Sequence, residues 1–277
     1  MAATEQVAIV RLGPDDARAG LALSTEAQWN QNEADWRFFL TAGEVFGVRD
    51  NDGLLIASAA LLPYASGNAW ISMVLVTENW RRRGLATKLV DACLAAAAKQ
   101  GLTTWLDATP AGAAVYGPLG FAPALQLRRL RLGKAISTKA EAPPSLSRCD
   151  IGKFIARDGS AMGFDRGALL RELSARPGSR LWSGGGAVAL VRDGRNARHI
   201  GPVLAEGPEQ ALAMANEIVR SETATFLIDA VFEQEQFLKG LTGRGWSIER
   251  PFQRMRFGQA AAQAAELPFA VAGPEFG

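Results

Sequence analysis

The feature that most constrains this chain is a stretch in which an apolar run leads through a basic turn into an amphipathic helix. The apolar run, residues 71–76, is long enough for a buried strand. After a short turn come Arg81, Arg82, Arg83 and Gly84, and then leucine, cysteine and alanine recur at helical spacing. The pattern therefore predicts a buried strand, a glycine-containing turn and a helix, in that order.

The turn has the chemistry of an anion site. The first N–H groups of a helix have no partner inside the helix, and the helix dipole makes that end partly positive. Phosphate binds well at such an end. Gly84 and Ala86 let the backbone approach an anion closely, and the arginines add positive charge. An arginine cluster alone is more often a solvated turn, but in this context we interpret it as a pyrophosphate cradle.

Residues 81–86, Arg-Arg-Arg-Gly-Leu-Ala, resemble the Arg/Gln-x-x-Gly-x-Gly/Ala motif with which GNAT (Gcn5-related) N-acetyltransferases hold the diphosphate of acetyl-coenzyme A. An alanine-rich helix and a second predicted strand, residues 103–106, follow in the family's order. Residues 116–121, Tyr-Gly-Pro-Leu-Gly-Phe, are then similar to the family's Tyr-x-x-x-Gly-Phe. The resemblance covers about residues 5–132. It implies the mixed-sheet α+β fold of the acyl-CoA N-acyltransferases.

The resemblance also implies the residues that hold acetyl-coenzyme A, the cosubstrate. They are Val74, Leu75, Val76, Arg81, Arg82, Arg83, Gly84, Leu85, Ala86 and Thr87. Tyr116 is implied as the general acid, because a phenol, with an ordinary pKa of about 10, stays protonated where a leaving thiolate needs a proton. Trp29, Asn30 and Trp36 fall on the acceptor side of the family's cleft. A core role for both tryptophans is an equal alternative.

No general base is identified from the sequence. The carboxylates expected near the cleft are Glu26, Glu33, Asp35 and Asp107. Carboxylates are mostly ordinary surface residues, and a chain of water molecules could serve instead. The expected reaction is direct attack by a primary amine of a small molecule within a ternary complex. The alternative is a non-catalytic acyl-coenzyme A sensor or scaffold, since a fold does not fix a function. The presence of both the arginine turn and Tyr116 favours the enzyme.

The second half of the chain repeats the first in outline. Strands are predicted at 187–192, 198–204 and 225–229, and helices at 208–219 and 233–241. The turn before the first of these helices carries Glu206 and Glu209 and no arginine, so it should repel a pyrophosphate. We therefore expect a degenerate half without a coenzyme site. One competent and one degenerate half resemble a two-domain, tandem bacterial subgroup of the family.

The length of 277 residues suits two domains of about 100–200 residues each. Residues 134–150 have the composition of a linker, in which Pro143 and Pro144 cannot continue a helix. The predicted division is an acetyltransferase domain at 1–133, a linker at 134–150 and a degenerate acetyltransferase-like domain at 151–277.

The composition of the sequence limits the cellular locations and the binding partners that we expect. The sequence shows no apolar run long enough to span a bilayer and no signal peptide, and two cysteines suit a reducing cytoplasm. One histidine and two distant cysteines make no recognisable zinc site, so no metal is expected. The net charge of +2 gives no case for nucleic acid. Arg128, Arg129 and Arg131 are interpreted as a solvated strand face. A monomer or a homodimer is expected.

Overall fold

The computed structural model describes residues 8–134, 147–259 and 264–277. The chain divides into two compact units. The first contains residues 8–63 and Gly67–Trp105, and the second contains Tyr64–Ser66 and Leu106–Gly277. Most of the predicted linker, residues 135–146, lies outside the described residues.

The first unit is built from a strand meander and helices. Its strands are β1 (Ile9–Leu12), β2 (Glu44–Arg49), β3 (Leu55–Tyr64), β4 (Asn68–Val76) and the start of β5 (Thr103–Ala108), and its helices are α1 (Ala17–Glu26), α2 (Glu33–Ala42) and α3 (Leu85–Lys99). β1, β2 and β3 pair in antiparallel register, and β4 lies between β3 and β5. The order β4, α3, β5 is the one that the sequence predicted around the arginine turn.

The hairpin between β2 and β3 shows how local chemistry sets one of these connections. The Oδ1 atom of Asp50 accepts hydrogen bonds from the amides of Asp52 (3.1 Å) and Leu54 (2.8 Å). Gly53 adopts a φ of +81°, a region that residues with a Cβ rarely enter. An Asp-Gly turn thus joins the two strands as a hairpin.

The second unit contains the remaining elements. Its strands after β5 are β6 (Ala122–Leu132), β7 (Ser147–Arg148), β8 (Arg180–Gly184), β9 (Ala187–Asp193), β10 (Arg198–Ala205), β11 (Phe226–Val231) and β12 (Ser247–Phe257), and its helices are α4 (Pro110–Tyr116), α5 (Ile151–Met162), α6 (Gly167–Ala175), α7 (Pro208–Ser221) and α8 (Glu235–Thr242). The strand order is β12-β6-β11-β10-β9-β8-β7. β10 and β11 run parallel, whereas the neighbouring pairs are antiparallel. The predicted sequence of elements from β9 to α8 is confirmed.

Arg129 corrects the interpretation of β6 as a solvated face. Its side chain is only 6% exposed and donates two hydrogen bonds of 2.8 Å to Asp229, which lies opposite it on β11. The Nε2 atom of His199 lies 2.9 Å from the same carboxylate. The guanidinium group and the imidazole lower the pKa of Asp229 against its burial, which alone would raise it. The pattern identified a face of the strand but not the carboxylate that covers it.

His199 makes folding of the second unit dependent on pH. Burial lowers the pKa of His199, although Asp229 opposes this shift. Below about pH 6.5, His199 is therefore protonated in the unfolded chain but not in the folded chain, and the free energy of unfolding falls. We expect the native protein to lose about 1 kcal/mol more than His199→Gln between about pH 7 and about pH 5.5. Urea unfolding followed by tryptophan fluorescence measures this difference. His199 is the only histidine in the sequence, so an identical pH dependence in both proteins would contradict the assignment.

Candidate functional site

The end of β4 runs on beyond its pairing with β5 in the first unit. The register between the two strands consists, among the described residues of that unit, of the pairs that join residues 68–70 to residues 103–105. On its other edge β4 stays bonded to β3, since the amide of Thr77 donates to the carbonyl of Ile56 at 2.9 Å. Beyond the last residue pair between β4 and β5, residues 71–76 thus continue alongside β3. They include Val74, Leu75 and Val76, which were predicted to line the coenzyme.

Met73 bends β4 immediately before these residues. Its φ of +51° is unusual for a residue with a side chain, and the side chain is only 1% exposed. The hydroxyl of Ser58 on β3 donates a 2.8 Å hydrogen bond to the carbonyl of Met73 and supports this backbone conformation. Local irregularities of this kind redirect a strand and are frequent next to active sites.

The turn after β4 positions its arginines with its own backbone. A single 3-10 turn, Glu78–Trp80, leads into exposed residues 81–84. The Nε atom of Arg81 donates to the carbonyl of Val76 at 3.1 Å. The Nη2 atom of Arg83 donates to the carbonyl of Asn79 at 3.1 Å, and its guanidinium lies 4.6 Å from the centre of the Trp80 ring. Two positive charges are therefore held beside the head of α3.

The head of α3 is open to an anion. Gly84, with a φ of +76°, precedes the helix, and its carbonyl accepts the first helical bond from Lys88 at 3.1 Å. The amides of Leu85, Ala86 and Thr87 come before that bond and have no protein acceptor in the described part of the chain. A Cβ placed on Gly84 would meet no atom within 4 Å. Free amides, open space and flanking arginines fit a phosphate group.

Three of the described helices close their first turns with side chains. The hydroxyl of Thr109 caps α4, the carboxamide of Asn32 caps α2, and the carboxylate of Asp150 caps α5. α3 carries no side-chain cap at Gly84. α1, α6, α7 and α8 also lack a side-chain cap, so α3 is distinguished by the exposed arginines that flank its open amides.

Tyr116 ends α4 in the second unit, whereas the arginine turn belongs to the first. Its side chain is 9% exposed, and its ring centre lies 6.0 Å from that of Phe121. The Phe121 amide donates to the Tyr116 carbonyl at 3.2 Å, and the Phe121 ring packs on Phe257 of β12 at 5.5 Å. A Cβ on Gly112 would lie 3.0 Å from the tyrosine ring. Packing on several sides thus fixes the ring of Tyr116.

The predicted acceptor residues differ in exposure. Trp29 is half-buried, and Asn30 is 7% exposed. Trp36 has no exposed surface: its indole N–H donates to the hydroxyl of Ser24 at 3.0 Å, and a Cβ on Gly20 would lie 2.2 Å from its ring. Trp36 therefore joins α1 to α2. Its part in acceptor binding stays a prediction.

The carboxylates considered as bases all have structural partners. Glu26 accepts from the amide of Glu78 at 2.8 Å, Glu33 pairs with Arg37 at 2.5 Å, Asp35 accepts from the amide of Asn32 at 3.0 Å, and Asp107 accepts two bonds of 2.8 Å from Arg254. Burial raises the pKa of Asp107, although Arg254 opposes the shift. None of these carboxylates is assigned as the base.

Sequence reasoning missed the residues that support the arginine turn. Ser58 holds the bend in β4, Glu26 holds the turn at Glu78, and Trp80 lies under Arg83. Only Trp80 carried a local signal, because an aromatic ring three residues before an arginine can stack on its guanidinium.

The described residues contain no helix that is both long enough and apolar enough to cross a membrane. Within these residues, no group of three or more histidine, cysteine, aspartate or glutamate side chains could hold a metal ion. Cys93 is fully buried in α3, and burial raises the pKa of its thiol.

Comparison with known proteins gives a family match in each half. A model of the acetyltransferase (GNAT) family matches residues 16–121, and a model of an acetyltransferase (GNAT) domain matches residues 155–270. Together the two matches cover more than half of the chain. The first contains the whole arginine turn and Tyr116.

Individual relatives are more distant. The chain is 25% identical over 169 residues to the uncharacterized N-acetyltransferase YitH of Bacillus subtilis (strain 168), a match that spans 60% of this chain and 59% of that protein. The fold is similar to that of a candidate acetyltransferase from Pyrococcus horikoshii, with a TM-score of 0.81, 17% identity, and 99% of this chain and 96% of that one covered. It is also similar to a tandem GNAT protein from the clavulanic acid biosynthesis pathway, with a TM-score of 0.64, 14% identity, and 92% and 100% covered.

These structures share the fold over both halves, and the expected acyl-CoA N-acyltransferase fold is thereby confirmed. The two family matches follow each other along one chain, as the resemblance implied for a tandem arrangement. This chain belongs to the GNAT family of acetyltransferases, with one family domain in each half.

Proposed function

We propose that the protein transfers the acetyl group of acetyl-coenzyme A to a primary amine of a small molecule, by direct attack within a ternary complex. The observation that carries this proposal is the open head of α3, where uncapped amides follow Gly84 and lie beside three arginines. A scaffold that had lost its ligand would have no need of an exposed cation cluster at an uncapped helix end.

Residues of the first unit bind the cosubstrate in this proposal. The amides of Gly84, Leu85, Ala86 and Thr87 bind the pyrophosphate, and the guanidinium groups of residues 81–83 neutralise its charge. The backbone of residues 74–76, beyond the bend at Met73, binds the amide-containing arm of the coenzyme. An N–H group near Leu75 faces the carbonyl oxygen that becomes negative during attack, and so stabilises it.

Tyr116 supplies a proton. The bound thioester provides the acetyl group and a thiolate leaving group. The phenol of Tyr116 donates its proton to that thiolate as the thiolate forms, because a phenol, with an ordinary pKa of about 10, still carries its proton at neutral pH. No residue is assigned to removing the proton from the amine.

Trp29, Asn30 and Trp36 form the acceptor side of the proposed site. A half-buried indole suits an amine or an amino-acid derivative with an apolar part. The proposed domains are an acetyltransferase domain at 1–133, a linker at 134–150 and a degenerate half at 151–277. The proposed protein is cytoplasmic and is a monomer or a homodimer.

A thiol-release assay tests the proposal. Purified protein is incubated with acetyl-coenzyme A and a pooled library of small primary amines, and free thiol is measured with a chromogenic disulfide. We expect amine-dependent thiol release that Arg81→Glu strongly lowers when acetyl-coenzyme A is below saturation. Binding of acetyl-coenzyme A without turnover for any amine would support the alternative, a sensor of acyl-coenzyme A. Absence of binding would contradict both.

A further inference from the structure

We propose that residues 269–277, named here the closing segment, fill the cleft of the second unit and close that unit to coenzyme A. The segment lies where the parallel strands β10 and β11 separate. In the first unit, the proposed function puts the arm of the coenzyme at the equivalent position beside β4. This inference rests on that proposed function for its comparison, but its own evidence lies wholly within the second unit.

The parallel pair of the second unit repeats the parallel pair of the first. β10 and β11 are in register only from Arg198–Phe226 to Ile200–Ile228, just as β4 and β5 are in register over three pairs at their starts. The register of β10 with β9 then shifts between Ile200 and Val203. A helix, α7 or α3, connects the two strands in each case. The second unit therefore has the same kind of diverging strands.

The closing segment bonds to both strands in that gap. The amide of Val203 on β10 donates to the carbonyl of Ala270 at 2.9 Å, and the amide of Phe269 donates to the carbonyl of Val203 at 2.9 Å. On β11, the amide of Val231 donates to the carbonyl of Phe269 at 3.0 Å, and the amide of Val271 donates to the carbonyl of Asp229 at 3.0 Å. The groups that would bind a coenzyme arm are thus already used by the chain itself.

Gly201 permits this close approach. A Cβ placed on Gly201 would lie 2.0 Å from the carbonyl oxygen of Val271, so any other residue would displace the segment. The glycine has an ordinary φ and is not needed for a left-handed conformation. The absence of a side chain at Gly201 leaves the space that the segment occupies. This is evidence for the segment's position in addition to the hydrogen bonds.

Side chains anchor the segment at both ends. The ring of Phe269 packs edge-on against Phe237 in the core, with 5.5 Å between the ring centres. Further along, buried Arg192 donates to the carbonyl of Ala272 at 3.0 Å and to the carboxylate of Glu275 at 2.6 Å. All of residues 269–277 are buried except Pro274, which is half-buried. A segment held in this way behaves as part of the core.

The head of α7 agrees with a closed cleft. The helix begins at Pro208, which has no N–H to offer, and Glu209 lies in its first turn. Phosphate is therefore disfavoured where the first unit attracts it. The second unit thus differs from the first in two ways. The closing segment occupies the gap between β10 and β11, where the coenzyme arm would bind, and the N-terminus of α7 is acidic, where the pyrophosphate would bind.

Hydrogen exchange and coenzyme stoichiometry together test the inference on the full chain. We expect the amides of Val203, Phe269 and Val271 to exchange at least about 100-fold more slowly than in an unfolded chain, like core strands. Gly201→Ala should raise exchange in residues 269–272 by about 10-fold or more, because it displaces the segment. Gly133→Ala, where a Cβ meets nothing within 4 Å, is the matched control and should leave exchange unchanged.

Equilibrium dialysis with coenzyme A should give one molecule bound per chain, removed by Arg81→Glu. Rapid exchange of Phe269 and Val271 in the native protein, or a second bound coenzyme that Arg81→Glu leaves in place, would overturn the inference. Slow exchange with no bound coenzyme at all would support the closed cleft and refute the proposed function of the first unit, so the two failures are distinguishable.

Discussion

Arg81→Glu is expected to weaken binding of acetyl-coenzyme A by about 100-fold, which corresponds to about 3 kcal/mol. The substitution removes a cation beside the open amides of α3 and places a carboxylate where a phosphate would bind. A lost charge-assisted hydrogen bond and a new like-charge repulsion act in the same direction. Titration calorimetry with acetyl-coenzyme A measures the effect. Arg83→Glu should act likewise, since its guanidinium lies over Trp80 beside the same helix end.

Arg18→Glu is the matched control for this prediction. Arg18 is exposed on α1 in the same unit, so the substitution makes the same change of net charge away from the turn. Its affinity should stay within about twofold of the native value, because solvent and salt screen an exposed charge at a distance. Unchanged affinity in both Arg81→Glu and Arg83→Glu would refute the cradle. An equal loss in Arg18→Glu would show that net charge and not position matters.

The sequence predicted well those elements whose signals are local. The helix predicted after the arginine turn is α3, Leu85–Lys99, and its signals are local because the apolar spacing and the flanking glycines Gly84 and Gly101 all lie within the helix or next to it. Gly101 has the left-handed φ of +65° expected after a helix. The turn after β8 is equally local in origin, since Gly185 and Gly186 both have positive φ and join two antiparallel strands.

Elements without strong periodicity were not predicted. α5 contains Gly152 and Gly159, which weaken a helix pattern, and it is fixed instead by the side-chain cap of Asp150 and by burial of residues such as Phe154. β8 is a short strand with no fully buried residue, so alternation gave no signal. Their existence depends on packing partners that are distant in sequence.

Long-range pairing also explains why the charged residues were misread. Asp107 is 147 residues from Arg254, and Arg129 is 100 residues from Asp229. No pattern within a single strand indicates which carboxylate will lie opposite an arginine. The same limit applies to the closing segment, whose apolar residues Phe269, Ala270 and Val271 could equally have covered another surface. The arginine turn was predictable because its chemistry is contiguous, whereas its supports Ser58 and Glu26 are not.

Tyr116→Phe is expected to lower kcat by about 100-fold or more and to leave the affinity for acetyl-coenzyme A nearly unchanged. Phenylalanine keeps the ring that packs against Phe121 but has no proton to donate to the leaving thiolate. The loss should therefore appear in turnover and not in binding. Steady-state kinetics with an accepted amine, combined with calorimetry, separate the two quantities.

The second tyrosine of the chain provides the control, because Tyr64→Phe makes the same chemical change elsewhere. The hydroxyl of Tyr64 donates to the carbonyl of Phe276 at 2.8 Å, and Arg166 also donates to that carbonyl at 3.0 Å. Removing the hydroxyl should cost about 1 kcal/mol of stability and leave kcat unchanged. A Tyr116→Phe enzyme with native kcat would remove Tyr116 from the reaction. A matching loss of kcat in Tyr64→Phe would attribute the effect to general destabilisation, because Tyr64 packs on Phe164 and bonds to the closing segment.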